Sequence, residues 1–280
     1  MTRTLARFQA FKALHEGAGC FVMPNAWDAG SARLLASMGF QALATTSAGY
    51  AFCAGKRDSF AGLSRGEILA NAADIFQATE LPVSADLEDG FGATPEECGE
   101  TMRLAVECGL VGGSLEDATG NADAPIRAFA DAVERVEAAA EAVKGKPFLL
   151  TARSENYLWG RHDLDDTIRR LQAFSEAGAD VLYAPGLPDL DAIRTVCREV
   201  DRPVNVVMGL KEPSFSVQQL AEARVRRVSV GGSFARAAFG GLKQAAQEVL
   251  GQGTFSYAQK AMRGAELFEL MSDGRPDERT

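Results

Sequence analysis

The stretch that decides the fold is Ser84-Ala85-Asp86-Leu87-Glu88-Asp89-Gly90-Phe91-Gly92, in which a short apolar segment runs into three carboxylates and two glycines. Leu81, Val83 and Ala85 indicate the end of a buried strand. Carboxylates at such a point are unfavourable unless a cation neutralises them, and oxygen ligands suit a hard divalent ion such as Mg²⁺. The alternative is that these acids cap the next helix and coat a loop.

Eight short apolar runs alternate along the chain with segments of helical periodicity. This alternation predicts a parallel sheet covered by helices, and a count of eight favours closure into a single (β/α)8 TIM-type barrel over an open doubly wound sheet. No GxGxxG motif follows the first run, which disfavours an open nucleotide-binding sheet further. The runs are residues 20–23, 42–45, 81–85, 111–115, 148–152, 181–184, 204–208 and 228–231.

Both ends of the chain extend beyond the barrel. No linker or repeat divides residues 1–280, so we interpret them as one domain that begins with a helix over residues 4–16. A C-terminal extension, residues 251–271, contains an apolar helical pattern over 257–271 that a barrel does not need. Surplus apolar helix surface commonly packs on another subunit, so we expect a homodimer or a homotetramer. Docking on the same chain is the alternative.

Composition narrows the possible partners. The net charge of −9 over 280 residues disfavours binding to nucleic acid or to an anionic membrane. The five cysteines are scattered without paired spacing, which argues against disulfides and for a cytoplasmic protein. The N-terminal residues lack the apolar region of a signal peptide, and no apolar run approaches 18 residues, so we expect neither a signal peptide nor a membrane span.

Polar residues collect after the first five predicted strands, at the end of a barrel where active sites lie. Acids from several strands would repel one another there without a cation, which favours a metal site. The planar fork of Arg153 suits a substrate carboxylate beside that metal, and an ion pair with Glu116 or Glu155 is the alternative. The collected residues are Asn25, Trp27, Asp28, Thr46, Ser47, Tyr50, Asp86, Glu88, Glu116, Asp117, Arg153 and Glu155.

Five motifs on successive predicted strands resemble those of the isocitrate lyase and phosphoenolpyruvate mutase superfamily, over roughly residues 20 to 235. The resemblance implies an α/β barrel whose last helix is exchanged between neighbouring subunits, in agreement with the surplus C-terminal helix. The motifs are Thr45-Thr46-Ser47-Ala48, Arg57-Asp58, Asp86-Leu87-Glu88-Asp89-Gly90-Phe91-Gly92, Ser114-Leu115-Glu116-Asp117 and Thr151-Ala152-Arg153.

The resemblance also implies a set of site residues. It implies Mg²⁺, replaceable by Mn²⁺, with Asp86 as the direct ligand. Asp58, Glu88 and Glu116 would act mostly through water, and Glu88 stands where the family usually has aspartate. A substrate carboxylate or phosphonyl group would bind the turn of Thr46, Ser47 and Ala48, and Arg153 would face the substrate. The shared chemistry is the making or breaking of a bond next to a 2-oxo acid through a metal-stabilised enolate.

The loop after the fourth strand departs from the family pattern. The lyase branch carries a Lys-Lys-Cys-Gly-His type loop, whereas residues 118–124 contain no cysteine, lysine or histidine, which argues against isocitrate or methylisocitrate lyase activity. The mutase and phosphonopyruvate hydrolase branch has a lysine and an asparagine-serine pair there. Asn121 is the loose counterpart, and we assign it to substrate binding. Val207-Met208-Gly209 also lacks the asparagine that lyases use on the distal carboxylate.

We therefore predict a Mg²⁺-dependent carbon–carbon lyase that acts on a small 2-oxo dicarboxylate such as oxaloacetate. Arg153, Asp58 and Tyr50 are the predicted catalytic residues. The proton that quenches the enolate would come from Tyr50, from metal-bound water or from His162. His162 is better explained as a structural residue, because it precedes a predicted N-cap at Asp163. The alternatives are a phosphonopyruvate-type mutase or hydrolase and a barrel that binds a 2-oxo acid without turnover.

Overall fold

The protein, described here by a computed structural model over residues 2–58 and 62–272, contains nine parallel strands in one sheet. The strands are β1 (Phe21–Met23), β2 (Asn25–Ala26), β3 (Leu43–Thr45), β4 (Val83–Asp86), β5 (Gly112–Glu116), β6 (Leu149–Arg153), β7 (Val181–Tyr183), β8 (Val204–Val207) and β9 (Arg227–Ser229). β1 and β2 are one segment interrupted at Pro24, where the missing N–H cannot continue the ladder. Because β1 pairs with β9 and β2 pairs with β3, this segment joins both edges of the sheet into a nearly closed barrel. The predicted TIM-type α/β fold is confirmed.

Helices alternate with the strands and cover the barrel. They are α1 (Arg3–Glu16), α2 (Ala29–Ser37), α3 (Ser47–Cys53), α4 (Arg65–Gln77), α5 (Pro95–Glu107), α6 (Phe129–Val143), α7 (Leu164–Glu176), α8 (Leu190–Glu199), α9 (Val217–Glu222), α10 (Ser233–Gln252) and α11 (Gly264–Met271). Local sequence sets several of the starts. Ser64 and Thr94 form capping boxes at α4 and α5, and Asp163 caps α7 as predicted.

The N-terminal helix closes the bottom of the barrel. Phe11 of α1 is fully buried in a cluster with apolar residues of the strands. A Cβ atom at Gly112 would lie 2.9 Å from the Phe11 ring, so only glycine leaves room for this ring. The predicted N-terminal helix therefore exists and forms the floor of the barrel.

Two helical predictions were wrong in extent. The continuous helix predicted over residues 257–271 is a 3₁₀ turn (Ser256–Gln259) and then α11, interrupted before Gly264, a poor helix former. Helical periodicity in the sequence runs from Pro125 to Val143 and predicts a helix there, but α6 begins only at Phe129, because Ile126 forms a β-bridge with Ala118.

The C-terminal helix packs on its own chain in this structure. α11 lies against α2, and Arg33 donates to the Met271 carbonyl oxygen at 3.1 Å. None of the α11 side chains is buried. Exchange of this helix between subunits remains a prediction. Within the described residues, every helix is too short or too polar to cross a membrane.

Candidate active site

A cavity of about 630 Å³ opens at the carboxyl ends of the strands. It brings together most of the residues that the sequence pattern placed in a site. Those that line it are Thr46, Ser47, Ala48, Asp58, Asp86, Glu88, Glu116 and Arg153. Their convergence follows from the topology, because parallel strands deliver all their carboxyl ends to one face of a barrel.

Two predicted site residues lie elsewhere. The Tyr50 side chain is half-buried against the core rather than in the lining of this cavity. Asn121 is exposed, and its side-chain oxygen accepts a hydrogen bond at 3.0 Å from the backbone N–H of Asp123. Within the described part of the chain, neither side chain is placed to contact a molecule inside the cavity.

Arg153 is the centre of the site. It is the last residue of β6, and its guanidinium forms three ion pairs with three different carboxylates. Nη1 lies 3.1 Å from Asp86, Nη2 lies 3.1 Å from Glu116, and Nε lies 2.8 Å from Glu155. The guanidinium also stacks over the Tyr183 ring, with 4.9 Å to the ring centre. Arg153 therefore forms the ion pairs that were the alternative to substrate binding, with Glu116 and Glu155. It forms a third ion pair with Asp86.

The carboxylates outnumber the positive charge available to them. Burial, and then the neighbouring acids Asp86 and Asp58, raise the pKa of Glu88 to about 8. Burial raises the pKa of Glu116 well above its usual range although Arg153 opposes the shift. Burial at the cavity edge, and then Asp86, also raise the pKa of Asp58. Among the described residues, Arg153 is the cation that pairs with Asp86 and Glu116, and its single charge does not balance this cluster.

No preformed metal cage is present in the described residues. Across 2–58 and 62–272, no three His, Cys, Asp or Glu side chains lie close enough together to enclose an ion. Mg²⁺ commonly takes only one or two protein carboxylates and keeps several waters, so an open arrangement is compatible with it. The all-oxygen donor set around Asp86 suits a hard divalent cation.

The start of α3 fixes the orientation of Asp86. Its Oδ2 accepts from the Ser47 N–H at 3.3 Å and from the Ser47 hydroxyl at 3.0 Å. The Asp86 N–H donates to the Thr45 hydroxyl at 2.9 Å. Thr46 caps α3 by accepting from the Gly49 N–H at 3.2 Å. The threonine-threonine-serine motif therefore holds the carboxylate that the sequence singled out.

The turn after β4 lets the chain pass close to the site. Glu88 has a positive φ of 48° and Gly90 has a φ of 87°. A Cβ atom at Gly90 would lie 2.8 Å from the Cys98 sulfur, so glycine is required there by both conformation and space. Asp89 points away from the cluster and pairs with Arg127 at 2.7 Å.

A buried network behind the cavity supports Glu155. The Glu155 N–H donates to Asp117 at 2.8 Å, and the second oxygen of Asp117 pairs with Arg170 at 3.2 Å. Arg170 also contacts Asp166 at 2.8 Å. Burial raises the pKa of Asp117 to about 6, although the Glu155 N–H and Arg170 oppose the shift. Asp117 therefore acts on the site through the backbone of Glu155 rather than by direct contact.

The comparisons with known proteins agree with this geometry. The family model described as phosphoenolpyruvate phosphomutase matches residues 11–250. The chain belongs to the phosphoenolpyruvate mutase and isocitrate lyase superfamily. The resemblance found in the five motifs is thus confirmed, and the superfamily consists of carbon–carbon lyases and mutases.

Three relatives show the range of similarity. A crystal structure from Burkholderia cenocepacia J2315, named provisionally as a lyase or mutase, is 53% identical with a TM-score of 0.94, covering 97% of this chain and 98% of its own. An uncharacterized protein of Mycobacterium tuberculosis H37Rv is 30% identical, covering 79% of this chain and 81% of its own. The oxaloacetate decarboxylase of Pseudomonas entomophila L48 is 25% identical, covering 78% of this chain and 76% of its own.

The loop after β5 is compact in this superfamily member. Thr119 closes it by donating from its hydroxyl to Ala124 at 2.6 Å and from its N–H to Pro125 at 2.8 Å. Gly120 is the one residue of 118–124 that lines the cavity described above. The loop therefore brings no acid or base side chain to the site.

His162 belongs to a neighbouring cavity. It stacks on Tyr157 with 5.4 Å between ring centres and lines a separate space of about 360 Å³. The two cavities share Leu158, Val207 and Leu210 as wall residues. A structural role for His162 agrees with this position.

Several lining residues were missed by the sequence reasoning. The residues at the later strands carried no motif. Strand periodicity was the available signal, since Tyr183, Asn205 and Arg227 fall in register with Arg153 across β6 to β9. The missed lining residues are Trp159, Tyr183, Asn205, Arg227 and Arg236.

Proposed function

We propose that the protein is a divalent-metal-dependent lyase that breaks the bond between C3 and the distal carboxylate carbon C4 of a small 2-oxo dicarboxylate such as oxaloacetate. The observation that carries this proposal is the excess of carboxylate at the upper end of the cavity, where Arg153 is the one cation of the described residues that pairs with Asp86, Glu116 and Glu155. The similarity to a named oxaloacetate decarboxylase supports the substrate class.

A divalent cation fits the residues present. The raised pKa values of Glu88 and Glu116 indicate that these acids lack counter-charge. In the proposal, Asp86 would hold Mg²⁺ or Mn²⁺, and Asp58, Glu88 and Glu116 would hold water molecules bound to the ion. When bound, such an ion supplies a Lewis acid that stabilises negative charge developing on a substrate oxygen.

The side chains of the chain itself then have distinct tasks. Ala48, at the start of α3, binds an oxygen of the substrate carboxylate, while Ser47 holds Asp86. Arg153 presents positive charge to the oxyanion that forms as the bond breaks, and Glu155 holds its Nε in place. Because Arg153 is buried among carboxylates, its pKa stays well above the usual value although desolvation opposes this, so it remains a cation.

The reaction is balanced without a further co-reactant. Cleavage of oxaloacetate releases CO₂, leaves the bonding electron pair in the enolate of pyruvate, and needs one proton to complete pyruvate. Because neither Tyr50 nor His162 lines the cavity, we assign this proton to solvent water entering past the exposed Arg236 at the mouth. The residues of the loop 118–124 are not needed for this chemistry.

The test is oxaloacetate decarboxylation in Mg²⁺, followed by pyruvate and CO₂ detection. We expect Asp86→Ala and Arg153→Ala each to lower the rate at least a hundredfold, because each removes a charged partner in a buried site. Asp123→Ala and Arg198→Ala change exposed residues outside the cavity and should leave the rate unchanged. Equal rates for the wild type and both cavity variants would refute the proposal.

The same panel separates the two alternatives. Phosphonopyruvate included as a substrate tests the mutase or hydrolase function, to which the description of the matching family lends support. Phosphate release or rearrangement without CO₂ production would favour that function. Tight binding of several 2-oxo acids without any turnover would favour a non-catalytic binding barrel.

A further inference from the structure

The cavity continues below the acids into the barrel interior. Asp86, Glu116 and Arg153 occupy inward positions at the upper ends of β4, β5 and β6. The inward positions two residues earlier on the same strands carry small hydroxyl side chains, and two of the three line the cavity. They are Ser84, Ser114 and Thr151.

A guanidinium reaches across this lower part of the cavity from the opposite wall. Arg227, the first residue of β9, is 3% exposed and lines the cavity. Its Nε donates to Asn205 at 2.9 Å, its Nη2 donates to the Thr151 hydroxyl at 3.1 Å, and its Nη1 donates to His15 at 3.3 Å. The side chain is therefore fixed in position by three separate elements.

All the partners of Arg227 are neutral. The ion pairs found in residues 2–58 and 62–272 do not include it, in contrast to Arg153 with its three carboxylates. Asn205 and Thr151 are uncharged by nature. A guanidinium has five N–H donors, and the described contacts use three, which leaves one on each terminal nitrogen.

His15, the third partner of Arg227, is a neutral ring. Its Nδ1 donates to the Phe11 carbonyl at 2.8 Å, so the neutral ring presents the Nε2 lone pair to Arg227. Burial, and then the charge of Arg227, lower the pKa of His15 to about 3. Burial lowers the pKa of Arg227 to about 10, which still leaves it charged at neutral pH.

We propose that the lower part of the cavity is an anion subsite in which Arg227, with Ser84 and Ser114 beside it, binds the second carboxylate of the substrate. This inference rests on the proposed function for the identity of the substrate. A buried cation without a counter-ion is unfavourable, and the arginine fork matches a carboxylate. The subsite selects 2-oxo diacids over 2-oxo monoacids.

The dimensions are compatible with a short diacid. Two residues of a strand span about 7 Å, which separates the level of Asp86 from that of Ser84. Carbon–carbon bonds of about 1.5 Å give a four- or five-carbon diacid a length of the same order. Its 2-oxo end then lies among the acids and its other carboxylate lies at Arg227.

The test compares the affinities of pyruvate and 2-oxoglutarate by calorimetry in Mg²⁺. Arg227→Met removes the charge and keeps most of the volume, so we expect the Kd of 2-oxoglutarate to rise about ten- to a hundredfold and that of pyruvate to change less than about twofold. Arg227→Lys should recover part of the loss. Arg226→Met, whose side chain instead donates to Gly19, should change neither.

A second measurement uses only the wild type, so it does not depend on how the variants fold. Crystals soaked in bromide should show anomalous density against Arg227. Bromide density against Arg227 would support the anion subsite. If the wild type also bound neither pyruvate nor 2-oxoglutarate, the proposed substrate would be refuted while the subsite stands. Three results would overturn the subsite. Arg227→Met could lose equal affinity for both oxo acids, or the selective loss of 2-oxoglutarate affinity could occur in Arg236→Met instead. The third result is the absence of bromide density against Arg227.

Discussion

Glu155 shows how a single residue connects the site to its support. Its carboxylate accepts from Arg153 Nε at 2.8 Å, and its N–H is held by Asp117. Glu155→Gln removes the charged acceptor that holds Arg153 Nε in place, so we expect kcat for oxaloacetate to fall about tenfold with a smaller change in KM. Steady-state kinetics measures this, with the exposed Glu199→Gln as the control. If Glu155→Gln had the same kcat as the wild type, the position of Arg153 would not depend on Glu155.

His15 predicts a pH dependence of stability. Its folded pKa is about 3, whereas an unfolded histidine titrates near 6.5, so only the unfolded chain binds this proton between those values. The free energy of unfolding should therefore fall as pH drops below 6.5, by about 2 kcal/mol at pH 5. Urea unfolding at pH 7 and pH 5 measures the difference. His15→Met should lose this part of the pH dependence, and an identical dependence in both proteins would contradict the assignment.

The limits of sequence reasoning are clearest at Arg226 and Arg227. The chemistry of the site was predictable, because acids and Arg153 follow strands that a motif identifies. Two consecutive arginines, however, look alike in sequence, and only the strand register decides that Arg227 points into the barrel. Likewise Asp86, Glu116 and Glu155 were all visible, but their shared contact with Arg153 depends on distances between strands that no local pattern encodes.

Among the elements, α3 depends on close packing at Gly49. A Cβ atom there would lie 2.6 Å from Thr46 and 3.0 Å from Trp27. Gly49→Ala should displace the start of α3, lower the free energy of unfolding by about 1–3 kcal/mol and reduce kcat through Ser47. Gly240→Ala in α10 meets no atom within 4 Å and should instead stabilise by about 0.5–1 kcal/mol. Urea denaturation compares them, and effects of equal sign would contradict this explanation.

The elements were predictable to different degrees. Long helices such as α4 and α7 carry an apolar face and a capping residue, so their existence and approximate bounds follow from sequence. α3 has seven residues and no clear face, and its start is stabilised by the Thr46 cap and by neighbours brought in from other strands. The break before α11 was not predicted, because the apolar spacing continues across it.

At the scale of the molecule, the C-terminal helices expose an apolar surface. Leu250 is 88% exposed and Phe268 is 62% exposed, with several apolar neighbours on α10 and α11. We predict a homodimer or homotetramer that covers this surface. Leu250→Glu combined with Phe268→Glu should reduce the mass measured by light scattering to that of one chain. Met38→Glu, which is also highly exposed but lies at the end of α2, should not change it. A monomeric wild type would contradict the prediction.

The floor of the barrel has a consequence for how the chain folds during synthesis. α1 leaves the ribosome before the barrel strands, yet His15 contacts Arg227, which is 212 residues further along, and β1 pairs with the last strand, β9. At typical rates of about 5–20 residues per second, the first helix and strand wait about 10 to 40 s for these partners. During that interval Phe11 and the apolar edge of β1 lack their native cover. The native contacts of α1 and β1 therefore form only after β9 has been synthesised.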